Sequence, residues 1–439
     1  MKRILLEHLP AWLLLMVFGF IVIHAPLTVW LGVQAPQLAV PLKAWKEVLM
    51  LGALALLTAA LYQQGRLNAF VRQPLIAVAL VYSALHVFMI GLYPQGLQAT
   101  VAGLLIDLRY VLYFVAVAAL LHLYPSYTRS FLRVGVVGVV IVIGFAVMQL
   151  FLPKDILSTL GYGANTIEPY LTVDKNPEYI RFNSTLRGPN PLGAYAVIVL
   201  AGVAAFALHA RRSVKAGAIP WLVGALGVGG VVALWVSYSR SALVAALVAV
   251  SIVLVARYGA LMNRRAWYGA AAVFIAVAGV IYVAKDTTFI QNVVLHNNPT
   301  TGATIDSNAA HADSLADGLS RMLVQPLGAG IGSTGSASLL GGTGLIIENQ
   351  YLMIAHEVGW LGLGLFLVLF GMVLRQLWRQ RKNWLALGVF ASGVGLALIG
   401  LLLPVWVDDT VSIVWWGLAA ISLCNTQRHL APHNNLNKL

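Results

Sequence analysis

Charge is scarce in this sequence. Only 10% of its 439 residues are Asp, Glu, Lys or Arg, whereas soluble domains carry about a quarter. With 60% of the residues hydrophobic, that scarcity excludes an ordinary soluble enzyme. Apolar runs of about twenty residues, long enough to cross the hydrocarbon of a bilayer, recur along the chain. Cysteine is almost missing. The single thiol, Cys424, excludes an intramolecular disulfide and a cysteine-based metal cluster. There is no internal repeat, and no low-complexity tract beyond the glycine clusters around Gly328–Gly332 and Gly341–Gly344.

The charge that is present is basic and sorted along the chain. A net charge of +13 invites a nucleic-acid partner, but its distribution argues for a membrane. Apolar runs with their flanking charges predict twelve spans, near 9–33, 45–62, 74–93, 99–123, 134–152, 190–209, 218–236, 241–256, 266–284, 349–374, 384–404 and 410–426. The start, Met1-Lys2-Arg3 before an apolar run from Leu9, has the outline of a signal peptide. The run is longer than a typical h-region and lacks a small-x-small cleavage site, so it reads as a first span. Most arginines and lysines fall on the N-terminal side of this topology, together with a single acid, Glu7. The positive-inside rule therefore places both termini in the cytoplasm. The fold class expected is an all-α integral membrane protein of about twelve helices, residues 1–439 forming one polytopic domain with a disordered tail over 427–439.

Two long connections, 153–189 and 285–347, lie on the opposite side with nearly all the acids. The first, rich in proline and tyrosine, suits an ordered cap at the interface. The second, with the helix after it, holds the densest group of titratable residues: Asp306, Asp313, Asp317, Glu348 and Glu357 with His296, His311 and His356. A long polar segment in so apolar a chain marks a functional site, here facing outward.

Several residues there suit chemistry on an anion. Arg240, in the turn Ser237-Tyr-Ser-Arg-Ser241, lies too near the apolar core to be idle. It reads as an anion-binding arginine, the alternative being a guanidinium reaching the outer headgroups. Arg181 and Arg187 precede a helix opened by Pro189 and Asn190, and free N–H groups beside an arginine fork make a phosphate site. Plain interfacial arginines are the other reading. Asp107 and Arg109 diverge by about 200° on one helix, so each is expected to pair with another span. Lys43, Lys46 and Glu47 read as interfacial anchors. The sequon Asn183-Ser-Thr185 is read as incidental.

Gly330-Ile-Gly-Ser-Thr-Gly335 fits a dinucleotide fingerprint, yet no strand-helix-strand unit surrounds it, so its glycines are expected to serve a tight backbone turn instead. The Asp306/His311/Asp313/Asp317 spacing fits no standard metal site and reads as a solvated helical face. Glu348 heads a helix whose positive end favours a carboxylate, and serves either as a base or only as the dipole's partner. Asn349, Leu352 or Met353, and His356 share one face, Ala355, Gly359 and Gly362 form a small-residue stripe for close packing, and His356 and Glu357 are expected to tie the helix to its neighbours.

Over roughly its C-terminal two thirds the chain resembles the O-antigen ligase and O-antigen polymerase superfamily of bacterial inner-membrane glycosyltransferases. The resemblance rests on Arg187-Gly-Pro-Asn190-Pro-Leu-Gly193, Ser239-Arg240-Ser241-Ala-Leu, Arg321-Met-Leu-Val-Gln-Pro326-Leu-Gly328-Ala-Gly330, and Asn349-Gln-Tyr351-Leu352 through His356-Glu357-Val-Gly359-Trp-Leu-Gly362. It implies a GT-C-like transferase without cofactor or metal. That enzyme moves a glycan from undecaprenyl diphosphate to a sugar hydroxyl of lipid A-core at the periplasmic face, with inversion. The family usually has His before the Asn of Asn-x-Tyr-Leu; here Glu348 stands there. Glu348 is thus the expected base, with His356 and His311 as the other candidates. Arg187, Arg240, Arg181 and Arg321 would hold the diphosphate, and Asn190, Asn349, Tyr351 and Glu357 would support them. An O-antigen polymerase or protein O-oligosaccharyltransferase shares these motifs. A polysaccharide flippase or secondary transporter is the reading from another class, disfavoured because no half-repeat is evident.

Overall fold

The structure, a computed structural model, describes residues 2–210, 218–259, 282–295, 307–342 and 344–430, together with Gly269 and Gly279. Among the described residues it is all-α apart from one small hairpin. The chain begins with α1 (Lys2–Phe20), which passes through a 3-10 turn into α2 (His24–Gln34). Then follow α3 (Trp45–Gln63), α4 (Pro74–Leu92), α5 (Leu97–Leu123) and α6 (Thr128–Met148). After the first long connection come α7 (Pro189–Ala210), α8 (Ala218–Val236) and α9 (Arg240–Tyr258). The amphipathic α10 (Ser307–Val324) precedes α11 (Gln350–Arg379), α12 (Trp384–Ile399) and α13 (Asp409–Leu430). Short helical turns lie between them.

Among the described residues eight helices are long and apolar enough to cross a membrane, and Pro220–Val236, Trp384–Ile399 and Asp409–Cys424 are apolar but shorter. The spans expected from the sequence coincide with these helices, except the one over 266–284, which lies almost wholly outside the described residues. Of the tail expected over 427–439, α13 includes the part to Leu430; the rest lies outside the description.

α13 lies at the centre. Over residues 411–423 it is almost wholly apolar and buried on nearly every side, as a helix apolar all round must be. Val411, Ile413, Trp415, Trp416, Ala419 and Ile421 are all essentially inaccessible. It packs against α5, α7, α11 and α12, while α12 in turn packs against α7 and α9. Above its start, Trp406 sits against Trp415 and Trp416 at centroid distances of 5.2 and 5.9 Å. That aromatic block seats the 400–408 turn on the bundle.

The first long connection contains regular structure. Leu171–Val173 (β1) and Asn176–Arg181 (β2) form an antiparallel hairpin closed by Asp174 and Lys175, both with positive φ. Two such residues make the turn whose twist suits a two-residue hairpin. Asn183 of the sequon is buried, and its amide nitrogen donates to the Glu168 carbonyl at 2.8 Å.

α11 departs from the expected continuous helix. Gly359 adopts φ 71° and ψ −175°, a conformation that glycine alone takes readily, and the helix breaks there. At Gly359 the expected small-residue stripe both breaks the helix and packs closely, for a Cβ there would meet the Pro326 and Leu327 backbone. The break frees backbone groups, and the glycine-rich loop after α10 satisfies them. Ala329 N–H donates to the His356 carbonyl at 2.6 Å, Gly330 N–H to Glu357 at 3.1 Å, and Trp360 N–H to Pro326 at 2.9 Å. The loop packs on the α4–α5 turn, where Gln95 donates to the Ala329 carbonyl at 2.6 Å. Gly328, Gly330 and Gly332 all take positive φ, so the fingerprint-like glycines serve backbone approach.

A Cβ at Gly332 would be driven into the Ala99 carbonyl oxygen at φ +84°. Gly332→Ala is expected to cost roughly 2 kcal/mol or more, read as a lowered aggregation midpoint on heating in detergent. Gly364→Ala, which meets open space, should match the parent; equal midpoints for both variants would contradict this account of the loop.

Candidate functional site

The start of α7 gathers the arginines. Proline at the first helical position costs no hydrogen bond there, and the chain reaches it through β2 and Asn183–Gly188. Arg181, at the end of β2, donates through Nη2 to Asn190 Oδ1 at 2.6 Å and through Nε to the Ser237 carbonyl at 2.9 Å. One guanidinium so joins the hairpin, the first turn of α7 and the α8–α9 turn. Burial, with Arg240 nearby, lowers the Arg181 pKa to about 10, partly offset by Asp174; it remains a cation at neutral pH.

Arg240 opens α9 and donates through Nη1 to the Val294 and Leu295 carbonyls at 3.2 and 3.4 Å. Arg187 is exposed at the rim of a cavity of about 220 Å³. Asn190, Ile399, Val405, Val407 and Asp408 are among its other walls. The starts of α7 and α13 both meet this cavity; Pro189 and Pro191 bring no N–H to it, and the Thr410 and Val411 N–H groups are taken by the Asp409 and Asp408 side chains. Burial and the adjacent Asp409 push the Asp408 carboxyl up to about 6, while Arg187 and Arg109 oppose that rise. One Asp408 oxygen accepts Val411 N–H at 2.9 Å, and the other is buried without a hydrogen bond among the described residues.

Beside Asp408 lies a buried ion cluster. Asp409 meets His24 Nε2 at 3.1 Å, Lys46 Nζ at 3.2 Å and Arg109 at 3.4 Å. Glu47 meets Lys46 at 3.4 Å and Arg109 at 3.7 Å. Two cations thus face two carboxylates, with His24 between them. Arg109 pairs with other spans, as expected. Lys46 and Glu47 do not anchor the interface: each is 4% exposed, because their partners reach them from α2, α5 and α13. Only Lys43 is exposed as an anchor would be, and its carbonyl accepts from Lys46 Nζ at 2.7 Å. Sequence reasoning gave no role to His24, Asp408 or Asp409. The signal available was an adjacent acid pair at the head of an apolar run.

The start of α11 carries the remaining candidates. Asn349 is its N-cap, accepting from Tyr351 and Leu352 N–H at 2.9 and 3.0 Å and donating to the Leu401 carbonyl at 2.7 Å. Tyr351 OH donates to the Ala397 carbonyl at 2.9 Å. Glu348 stands one residue before the cap, outside the first turn, half-buried, its own N–H donating to Ser314 Oγ at 3.1 Å. It is not among the cavity's walls. Its neighbour Ile347 forms an apolar cluster with Leu352 and Met353, and the cavity-lining Val407 packs against that cluster.

Arg321 does not line the cavity: its Nε meets Asp317 at 2.7 Å on the exposed side of α10. His356 is buried, within electrostatic reach of that pair, and its Nδ1 makes no hydrogen bond among the described residues. Glu357 ties helix to loop as expected, accepting Gly332 and Thr334 N–H at 3.0 and 3.4 Å, with Asp107 beside it. His311 belongs to α10, but its side chain lies outside the described residues, as do His296 and Asp306.

No protein-family model matches the chain, and no curated protein matches it in sequence.

Lys46→Met would leave two buried carboxylates short of a cation, and breaking such a cluster costs about 3–5 kcal/mol. The variant should lose monodisperse protein in detergent well below the parent's temperature, while Lys43→Met behaves like the parent. A Lys46→Met protein as heat-stable as the parent would show that the cluster contributes nothing.

Proposed function

We propose that the chain is a glycosyltransferase of the O-antigen ligase kind. In this reading it has twelve spans in the bacterial inner membrane, both termini in the cytoplasm and its site at the periplasmic face. It transfers a glycan from undecaprenyl diphosphate to a sugar hydroxyl of lipid A-core. The observation that carries the reading is the grouping of Arg181, Arg187 and Arg240 around the first turn of α7, beside the cavity that Arg187, Asn190 and Asp408 line. Such a grouping suits a diphosphate leaving group, whose charge grows as the bond to it breaks.

In the reaction, the acceptor oxygen attacks the anomeric carbon from the face opposite the diphosphate. The C–O bond to phosphate breaks, its electron pair leaves with the diphosphate, and the acceptor proton passes to a base. Glu348 is the proposed base, supported by its place in the chain next to Ile347, whose apolar cluster the cavity-lining Val407 packs against. His356 and His311 remain the alternatives. Asn349 and Tyr351 act as positioning residues, through the bonds that hold α11 to the 397–401 stretch. Arg321, paired on α10, would meet the donor from the far side of α11.

The test is transfer in vitro from purified lipid-linked glycan to lipid A-core. Arg187→Ala and Arg240→Ala should each cut the rate at least tenfold with protein levels intact, Glu348→Gln should be inactive, and chelator should change nothing. Parental activity in both arginine variants would remove the diphosphate cradle. Lengthening of the lipid-linked glycan alone would make the protein a polymerase, and movement of glycan across proteoliposomes without a new bond would make it a transporter.

A further inference from the structure

α10 carries three parallel stripes, each repeating every fourth residue. Ser314, Gly318 and Met322 face α11: Ser314 Oγ accepts the Glu348 N–H, a Cβ on Gly318 would touch Leu352 and Ile347, and the Met322 carbonyl accepts the Trp360 indole at 2.8 Å. Asp313, Asp317 and Arg321 lie about 100° to one side, with Asp317 and Arg321 paired. Leu315, Leu319 and Leu323 lie about 100° to the other side, and are 45, 46 and 60% exposed. Val324 and Leu327 extend that apolar face at 76 and 68%. A row of exposed leucines on an ordered helix needs a cover.

The path of α11 says what the cover is. α12 has 16 residues and rises about 24 Å, and at its far end Gly400 accepts the Gln350 N–H at 2.9 Å. α11 joins the same two levels with 30 residues, about 45 Å if straight. The excess is taken up by the bend at Gly359, so Gln350–Val358 runs across the end of the bundle rather than adding to its height. α10 runs beside that piece, in register from Ser314 at Glu348 to Met322 at Trp360. It thus lies along the membrane surface too. Trp360 and Leu361, the first residues of the descending piece, are 51 and 65% exposed on an apolar span. The leucine stripe continues that lipid-facing surface.

We infer that α10 is an interfacial helix, its Leu315–Leu319–Leu323 stripe sunk into the adjacent leaflet and its Asp313–Asp317–Arg321 stripe in water. Amphipathic helices of this kind bury their apolar face about 5–10 Å into the headgroup boundary. The polar stripe bears two acids and one base, so apolar burial holds the helix down and attraction to anionic lipid does not. The arrangement sets the Asp317–Arg321 pair, and the buried His356 near it, at the boundary between lipid and water.

The test uses the full chain with Cys424→Ser, carrying either Leu319→Cys or Asp313→Cys, labelled with an environment-sensitive fluorophore and held in phospholipid nanodiscs. The label at 319 should emit to the blue of the label at 313 and be quenched by lipids brominated near the top of the acyl chain. The label at 313 should be quenched by aqueous iodide. The lipid quenching at 319 should be the same in neutral and anionic nanodiscs. Equal iodide quenching at both sites would overturn the inference. So would a label at 319 shielded from iodide and from brominated lipid alike, the pattern of a stripe covered by protein.

Discussion

Arg181 donates to Asn190 on α7 and to the Ser237 carbonyl before α9, and much of the polar end depends on those two bonds. They lock the hairpin, the first turn of α7 and the α8–α9 turn to one planar group. A guanidinium suits the task because it stays charged when lifted out of water and its donors are fixed in a fork. Once it is held, Arg187 lies at the rim of the 220 Å³ cavity and Arg240 lies close enough to lower the pKa of Arg181. Like charges this close repel, which favours any anion that can neutralise several of them together. That is the physical basis for proposing a diphosphate.

The same end of the bundle obeys the opposite rule a few residues away. His24, Lys46, Glu47, Arg109 and Asp409 are paired among themselves and nearly inaccessible. The group is a balanced cluster, so it supports the fold without offering a binding field. Asp408 stands between the two, feeling Arg187 on one side and Asp409 on the other. Backbone is treated alike. The carbonyls freed at Gly359 are taken up by Ala329 and Gly330, as non-helical chain near lipid requires.

Much of the helical plan was legible in the sequence, because a span is a local property of twenty residues and their flanks. The N-terminal role of Asn349 was close to readable for the same reason, since a cap bonds two and three residues ahead. What stayed hidden is what depends on distant chain. Asp409 meets His24 across most of the sequence, so Lys46 and Glu47 looked like surface anchors. Gly359 fitted a small-residue stripe until the Pro326–Gly330 loop arrived to fill the break. Of the residues singled out in the sequence, Arg181 bonds Asn190 with Arg240 near it, and Arg187 shares the cavity that Asn190 lines. The sequence also grouped Arg321 with them, which the fold keeps on α10 beside Asp317. Asp408 escaped notice because its environment comes from the turn of α12 into α13 and the start of α7.

The central claim is that the arginines at the start of α7 bind a diphosphate, and equilibrium binding of undecaprenyl diphosphate to purified protein in nanodiscs addresses it without any transfer step. The account predicts saturable binding that weakens with added salt and falls at least tenfold when Arg181 and Arg187 are both replaced by glutamine. Binding unchanged by salt and by the double substitution would contradict it.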